Sequence, residues 1–183
     1  MKPVLVTVAA VMALAVAVFG SSRLLAAPAS AAAVTTKQES GFKLLPPAAP
    51  AGQMTLYGHV KTLVLKSSHF EMRFDPAWFT SGVTASTAAA QDGMVGSGEP
   101  VPNDNYTVEE GHRLLTYLVP SNAHITVLTT SGQGISATPI TVSELARIVN
   151  GGTHRKLFEP LDSGVWIRVR GDTVRSLDQQ YRP

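Results

Sequence analysis

The chain has 183 residues, with 15 Lys+Arg against 13 Asp+Glu for a formal charge of +2, and it contains no cysteine. The missing cysteine excludes disulfides, thiolate metal sites and a lipobox-type lipid anchor. The excess charge sits in Lys2 and Arg23, near the start. The remainder is formally neutral, which argues against a nucleic-acid binder with its usual positive excess.

Lys2 precedes an apolar, charge-free run from Val4 to Phe19, and small residues then gather at Ala29-Ser30-Ala31. That order reads as a signal peptide over residues 1–31, with Ala-x-Ala at the cleavage position. The run is short beside the roughly 20 apolar residues of a membrane span. Arg23 and Leu24-Leu25 separate it from the cleavage motif, so an uncleaved membrane anchor is the alternative. Either way the protein is expected to be exported, extracellular or at the outer face of the cytoplasmic membrane. Residues 32–53 are rich in Ala, Pro and Thr without periodicity, the composition of a flexible linker. Residues 54–183 have the length of one domain.

Within that domain, MTLYGHVKTLVLK reads as a long strand whose buried face changes partway. Such a change implies a bend or bulge, with Gly58 allowing close packing. Ser67-Ser68 turns the chain into HFEMRFD, where Phe70, Met72 and Phe74 alternate with polar residues. Asp75 is placed to cap a helix and Pro76 to occupy its first position. An Ala-rich helix over Val83 to Gln91 follows, stopped by Asp92-Gly93. Tyr106 and Val108 start a short strand, Glu110-Gly111 turns it, and Arg113 to Val119 returns. His124 to Thr129 alternates again, and TTSGQG is a mobile tip. Thr141 and Glu144 have capping-box spacing ahead of a helical face of Leu145, Ile148 and Val149, with Gly151 as the stop. VWIRVR-GD-TVRSL is a terminal hairpin with glycine first in its turn. The sum is an α+β fold, mainly antiparallel β: a small OB-like barrel, or a strongly bent sheet, with two short helices.

The motif order FDPAWFTSG, AQDG, EPVPNDNY, RLLTYLV and a final hairpin ending in QQY resembles secreted actinobacterial proteins of unknown function. The resemblance covers most of residues 54–183. It implies an exported domain, often tethered at the outer face of the membrane, and it supplies no functional residues.

Chemistry is sparse. There is no G-x-S-x-G, since Val95 stands two positions before Ser97. The five histidines are scattered with no metal-binding spacing, and His59, His69 and His124 are expected at solvent-facing strand positions. Asp104, Glu109 and Glu110 are the candidate hard-oxygen metal ligands, although the stretch fails EF-hand spacing, with Val108 where glycine is required. Trp166, Arg168, Arg170 and Arg175 are the candidate ligand-binding patch, because an indole and guanidiniums stack on rings and clamp anions. The same arginines also serve simply to keep a hairpin soluble.

The expected function is a non-enzymatic binding domain without a cofactor, whose partner is an envelope protein, a glycan or an anionic polymer. The alternatives are a small secreted hydrolase with a site assembled from His112, Asp104 and Glu109, and a calcium-ordered structural module.

Overall fold

The computed structural model describes residues 48–182, apart from Glu110, His112 and Gln133. The expected signal peptide and most of the expected linker lie outside these residues. Among the described residues no helix is long and apolar enough to cross a membrane.

A tight turn leads in, with Gln53 N–H donating to Pro50 O at 3.0 Å and Gly52 at φ +74°. Strand β1 (Met54–Lys66) and β2 (His69–Ser81) then form a long antiparallel hairpin. One bulge falls between Val60 and Thr62. It shifts the core-facing side by one residue, so Leu56 and Val60 pack on the core before it and Leu63 after it. A Cβ on Gly58 would lie 2.1 Å from Asp75 O and 2.9 Å from Pro76 Cα, so glycine is what lets the strands approach here.

Only the first part of β1, Met54 to Gly58, also pairs with β7 (Val165–Arg170). The other edge of β2 pairs with β4 (Leu115–Val119), and β7 pairs with β8 (Thr173–Gln179). The ring closes through a parallel bridge at Leu118 and Thr173, where Leu118 N–H donates to Asp172 O at 2.8 Å. The order β1-β2-β4-β8-β7 is a closed five-stranded mixed barrel, OB-like as expected. A barrel this small is filled by its own side chains. Leu63, Met72, Phe74, Val119, Ile167 and Leu177 are all fully buried.

Helix α2 (Val142–Val149) packs on β1 and drives Val142 and Leu145 into the core. Thr141 Oγ1 accepts from Glu144 N–H at 3.1 Å, as the spacing required. The reciprocal half of the capping box is replaced by an ion pair, because the Glu144 carboxylate takes Arg155 at 2.5 and 3.2 Å.

Three expectations are corrected. Asp75-Pro76 does not open a helix: β2 runs on to Ser81, which takes the N-cap position of helix α1 (Gly82–Gln91) without a side-chain hydrogen bond to it. The strand tolerates Pro76 because β4 pairs with β2 only through Phe74, and β3 (Asn105–Val108) only from Trp78. The proline sits in the gap, where no second partner needs its N–H. For the same reason β3 and β4 do not form a hairpin with each other; both lie along one edge of β2. Arg113 and Leu114 precede β4 rather than belonging to it. Finally, TTSGQG is the tip of a hairpin joining β5 (His124–Ser131) to β6 (Gly134–Ile140), a strand the alternation did not reveal.

Candidate ligand cleft

Beyond Gly58, β1 keeps β2 on one side and loses β7 on the other. The space beside that edge is bounded by the C-terminal turn of α2 and by residues 151–164, which connect α2 to β7. It forms a cleft of about 740 Å³. Val60, Ile148, Val149, Leu157 and Leu161 give it an aliphatic floor, and Glu109, Glu159, Asp162, Lys61 and Lys156 supply charge.

The wall is fastened from beneath. Gln179 is buried; its Oε1 accepts from Leu128 N–H at 2.9 Å, while its Nε2 donates to Glu159 O at 3.0 Å and Pro160 O at 3.2 Å. Phe158 N–H donates to Leu128 O at 2.8 Å. At the far end Tyr57 Oη donates to Ser163 O at 2.9 Å and lies against Gly164, where no Cβ would fit. The Arg155–Glu144 pair ties the start of the wall to α2, and holds the Glu144 carboxyl below its usual range.

His59 bridges the end of the cleft. Its Nδ1 is 3.0 Å from Asp162 O and its Nε2 is 2.7 Å from Glu109 Oε1. Both partners are acceptors, so a doubly protonated ring satisfies both and a neutral ring only one. Glu159, by contrast, is half-buried. Burial pushes its carboxyl above the usual range, and Arg182 N–H, donating at 3.3 Å, pulls the other way. The Lys61 ammonium is drawn 3.0 Å from Asp75 Oδ2. Among the described residues no hydroxyl or thiol side chain belongs to the lining.

Of the described residues singled out as candidate ligands in the sequence, Glu109 alone lines this cleft. Trp166 packs with Tyr57 and Phe79, ring centroids 5.0 and 5.9 Å away, and its Nε1 donates to Gln180 Oε1 at 2.5 Å. Arg168 Nε donates to Ser176 Oγ at 2.8 Å, and its Nη2 is 3.9 Å from Asp178 Oδ2. Arg170 is exposed near the hairpin turn. Arg175 is exposed at a bulge, since the register passes from Arg168↔Ser176 to Val169↔Val174 and leaves it without a facing residue. Trp166, Arg168 and Arg170 alternate along the non-core side of β7, but Trp166 and Arg168 are already engaged within the protein.

Asp104 and Glu109 flank opposite ends of β3. Asp104 borders a separate groove of about 610 Å³ beside α1, and Glu109 is held by His59. Glu110 and His112 lie outside the described residues. Among the described residues no three His, Cys, Asp or Glu side chains are grouped to hold a metal.

Sequence reasoning missed His59, taken as a solvent-facing strand residue, and the buried Gln179 and Gln180. The glutamines carried one signal. A pair of uncharged polar residues ending an apolar strand marks amides that have backbone partners inside.

The fold and cleft together define a small mixed β-barrel with a preformed recess beside its first strand. No protein-family model, curated protein or solved structure matches the chain.

Proposed function

We propose that this protein is an exported, non-enzymatic binding domain acting at the cell envelope or outside the cell, and that the cleft beside β1 is its ligand site. The observation that carries the reading is the preformed recess of about 740 Å³, within the roughly 300–1,000 Å³ range of ligand pockets. Its wall is held by buried amide hydrogen bonds, so little ordering entropy is lost when a ligand enters. The likeness to secreted actinobacterial proteins and the export-type N-terminus supply the location.

The runner-up is a secreted hydrolase. The His59–Glu109 pair favours it, because an imidazole and a carboxylate 2.7 Å apart can move a proton. A hydrolase here would have to activate water, as the described lining residues carry no hydroxyl or thiol nucleophile.

Thermal melting of the purified protein against calcium, chelator, anionic polymers, glycan fragments and peptides tests the proposal. A ligand at about 100 times its Kd stabilises by roughly 2.7 kcal/mol. The expected result is a raised midpoint with one class, abolished by filling the floor with Leu161→Trp. Turnover of an ester, amide or glycoside that disappears in His59→Ala would overturn the binding reading in favour of the enzyme.

A further inference from the structure

We propose that the occupant of the cleft is an extended peptide segment that adds to the free edge of β1 and carries a basic side chain between aliphatic ones. This rests on the reading of the cleft as the ligand site.

The edge comes first. Past Gly58, no strand among the described residues pairs with β1 on the β7 side. The opening ends where Asn150 Nδ2, at the end of α2, donates to Leu63 O at 2.8 Å. His59 to Thr62 are left between these limits, a stretch of about 13 Å at roughly 3.3 Å per residue. That is room for about four residues of extended chain. Unpaired ladder groups are a template for an added strand, and a short, bulged edge accepts a short segment while resisting a long one.

The side-chain chemistry of the cleft narrows the class. An added strand sends alternate side chains to one face. Here that face is the aliphatic floor of Val60, Val149, Leu157 and Leu161. Three carboxyl groups, from Glu109, Glu159 and Asp162, line the recess against two lysines, one already engaged by Asp75. Asp162 makes no side-chain ion pair among the described residues, and the hydrogen bond that the Glu159 carboxylate accepts among them is from the Arg182 backbone N–H, with the Arg182 charge acting on it from nearby. A ligand cation would give that half-buried carboxylate a direct ion pair, which Arg182 does not form. An anionic polymer would meet the acids unfavourably. A glycan is matched less well, because the floor is aliphatic and the described lining residues include no Asn, Gln, Ser or Thr, although its charged side chains also bond hydroxyls.

The test titrates three probes into the isotope-labelled purified protein and follows backbone amide shifts. They are acetyl-Leu-Lys-Leu-Lys-Leu-amide, its Lys→Glu counterpart, and chitotriose. The lysine peptide is expected to move the amides of residues 59–63 and 157–162, and the glutamate peptide to bind about tenfold or more weakly. Glu159→Gln with Asp162→Asn should weaken the lysine peptide and narrow that difference. N-methylation of its central amides should weaken it further by removing the ladder donors. Equal binding of both peptides overturns the charge argument, and equal binding of the N-methylated peptide overturns strand addition. Shifts with chitotriose alone overturn the peptide proposal while leaving the cleft as a ligand site. No shift at these amides with any probe overturns both.

Discussion

Replacing Gln179 with alanine is the sharpest probe of how the cleft is built. The side chain is 7 % exposed and serves three backbone groups: Leu128 N–H, Glu159 O and Pro160 O. Truncation leaves the N–H of Leu128, itself 3 % exposed, without an acceptor, at a cost of about 1–3 kcal/mol. The two carbonyl bonds contribute about 0.5–1.5 kcal/mol each at most, and less here because water can reach the connecting segment. A total of roughly 2–4 kcal/mol is expected from these terms. For a domain of this size that lowers the melting midpoint by roughly 6–20 °C. Gln179→Glu should be no better, since it keeps the acceptor for Leu128 but sets a carboxylate oxygen against two carbonyl oxygens. Denaturant unfolding gives the magnitude, and hydrogen exchange at Phe158, whose N–H donates to Leu128 O, reports loosening of the wall. A loss below about 0.5 kcal/mol with unchanged protection at Phe158 would refute the claim that this amide fastens the cleft.

Gly164→Ala is expected to cost about 3 kcal/mol or more in equilibrium unfolding, because its Cβ would fall 2.0 Å from Tyr57 Oη and 2.5 Å from Cζ at φ +111°. Tyr57→Phe should not rescue it, since the ring carbon still clashes. The pH dependence of stability should show two opposite slopes. Burial raises the Asp178 carboxyl despite the Thr126 hydrogen bond, Arg168 and His124. Its contribution is therefore complete below the unfolded pKa and lost as pH rises through the folded one. Asp178→Asn should flatten that decline, which sets in above the ordinary aspartate range of about pH 4, in urea melts. Glu144, lowered mainly by its hydrogen bonds from Arg155, contributes above its unfolded pKa and loses this as pH falls through the folded one. Arg155→Met should remove that acid-side loss, and an unchanged profile would show the pair to be inert.

What the sequence made legible was local. The parity change in β1, the Thr141 cap and the alternation of Val165, Ile167 and Val169 each depend on neighbours a few residues apart, and each is present in the fold. Asp75-Pro76 misled because a capping signal and a gap in strand pairing look alike until β3 and β4 are known to share the edge of β2. β6 escaped because GISATPI is a half-buried edge strand with Pro139 in it, and its alternation carries little hydrophobic contrast. The cleft was illegible for a plainer reason. His59 meets Glu109 and Asp162 at separations of 50 and 103 residues, and no spacing rule reaches across a barrel closure. The hairpin arginines were legible because they lie on paired neighbouring strands, but sequence could not show that Arg168 is taken up by Ser176 and Asp178 of the same hairpin.

The placement of the site also follows from which connections are elaborated. OB-like barrels bind on the outer face around their second and third strands, helped by the loops between strands one and two and between the last two. Here both loops are two-residue turns, Ser67-Ser68 and Gly171-Asp172. The face between them sets Glu71 and Arg73 of β2 opposite Leu118 and Thr116 of β4, with Arg73 Nη1 donating to Thr116 Oγ1 at 3.0 Å. No ring for stacking stands among these four. The length lies elsewhere, in residues 151–164, well beyond the roughly 4–6 residues typical of a connection. A loop of that length has no regular ladder to satisfy its backbone, so an unfastened one would be mobile. This one is held by Gln179, Tyr57, His59 and Glu144. Four side chains from three elements, β1, α2 and β8, converge to hold open a recess that a shorter link would not create.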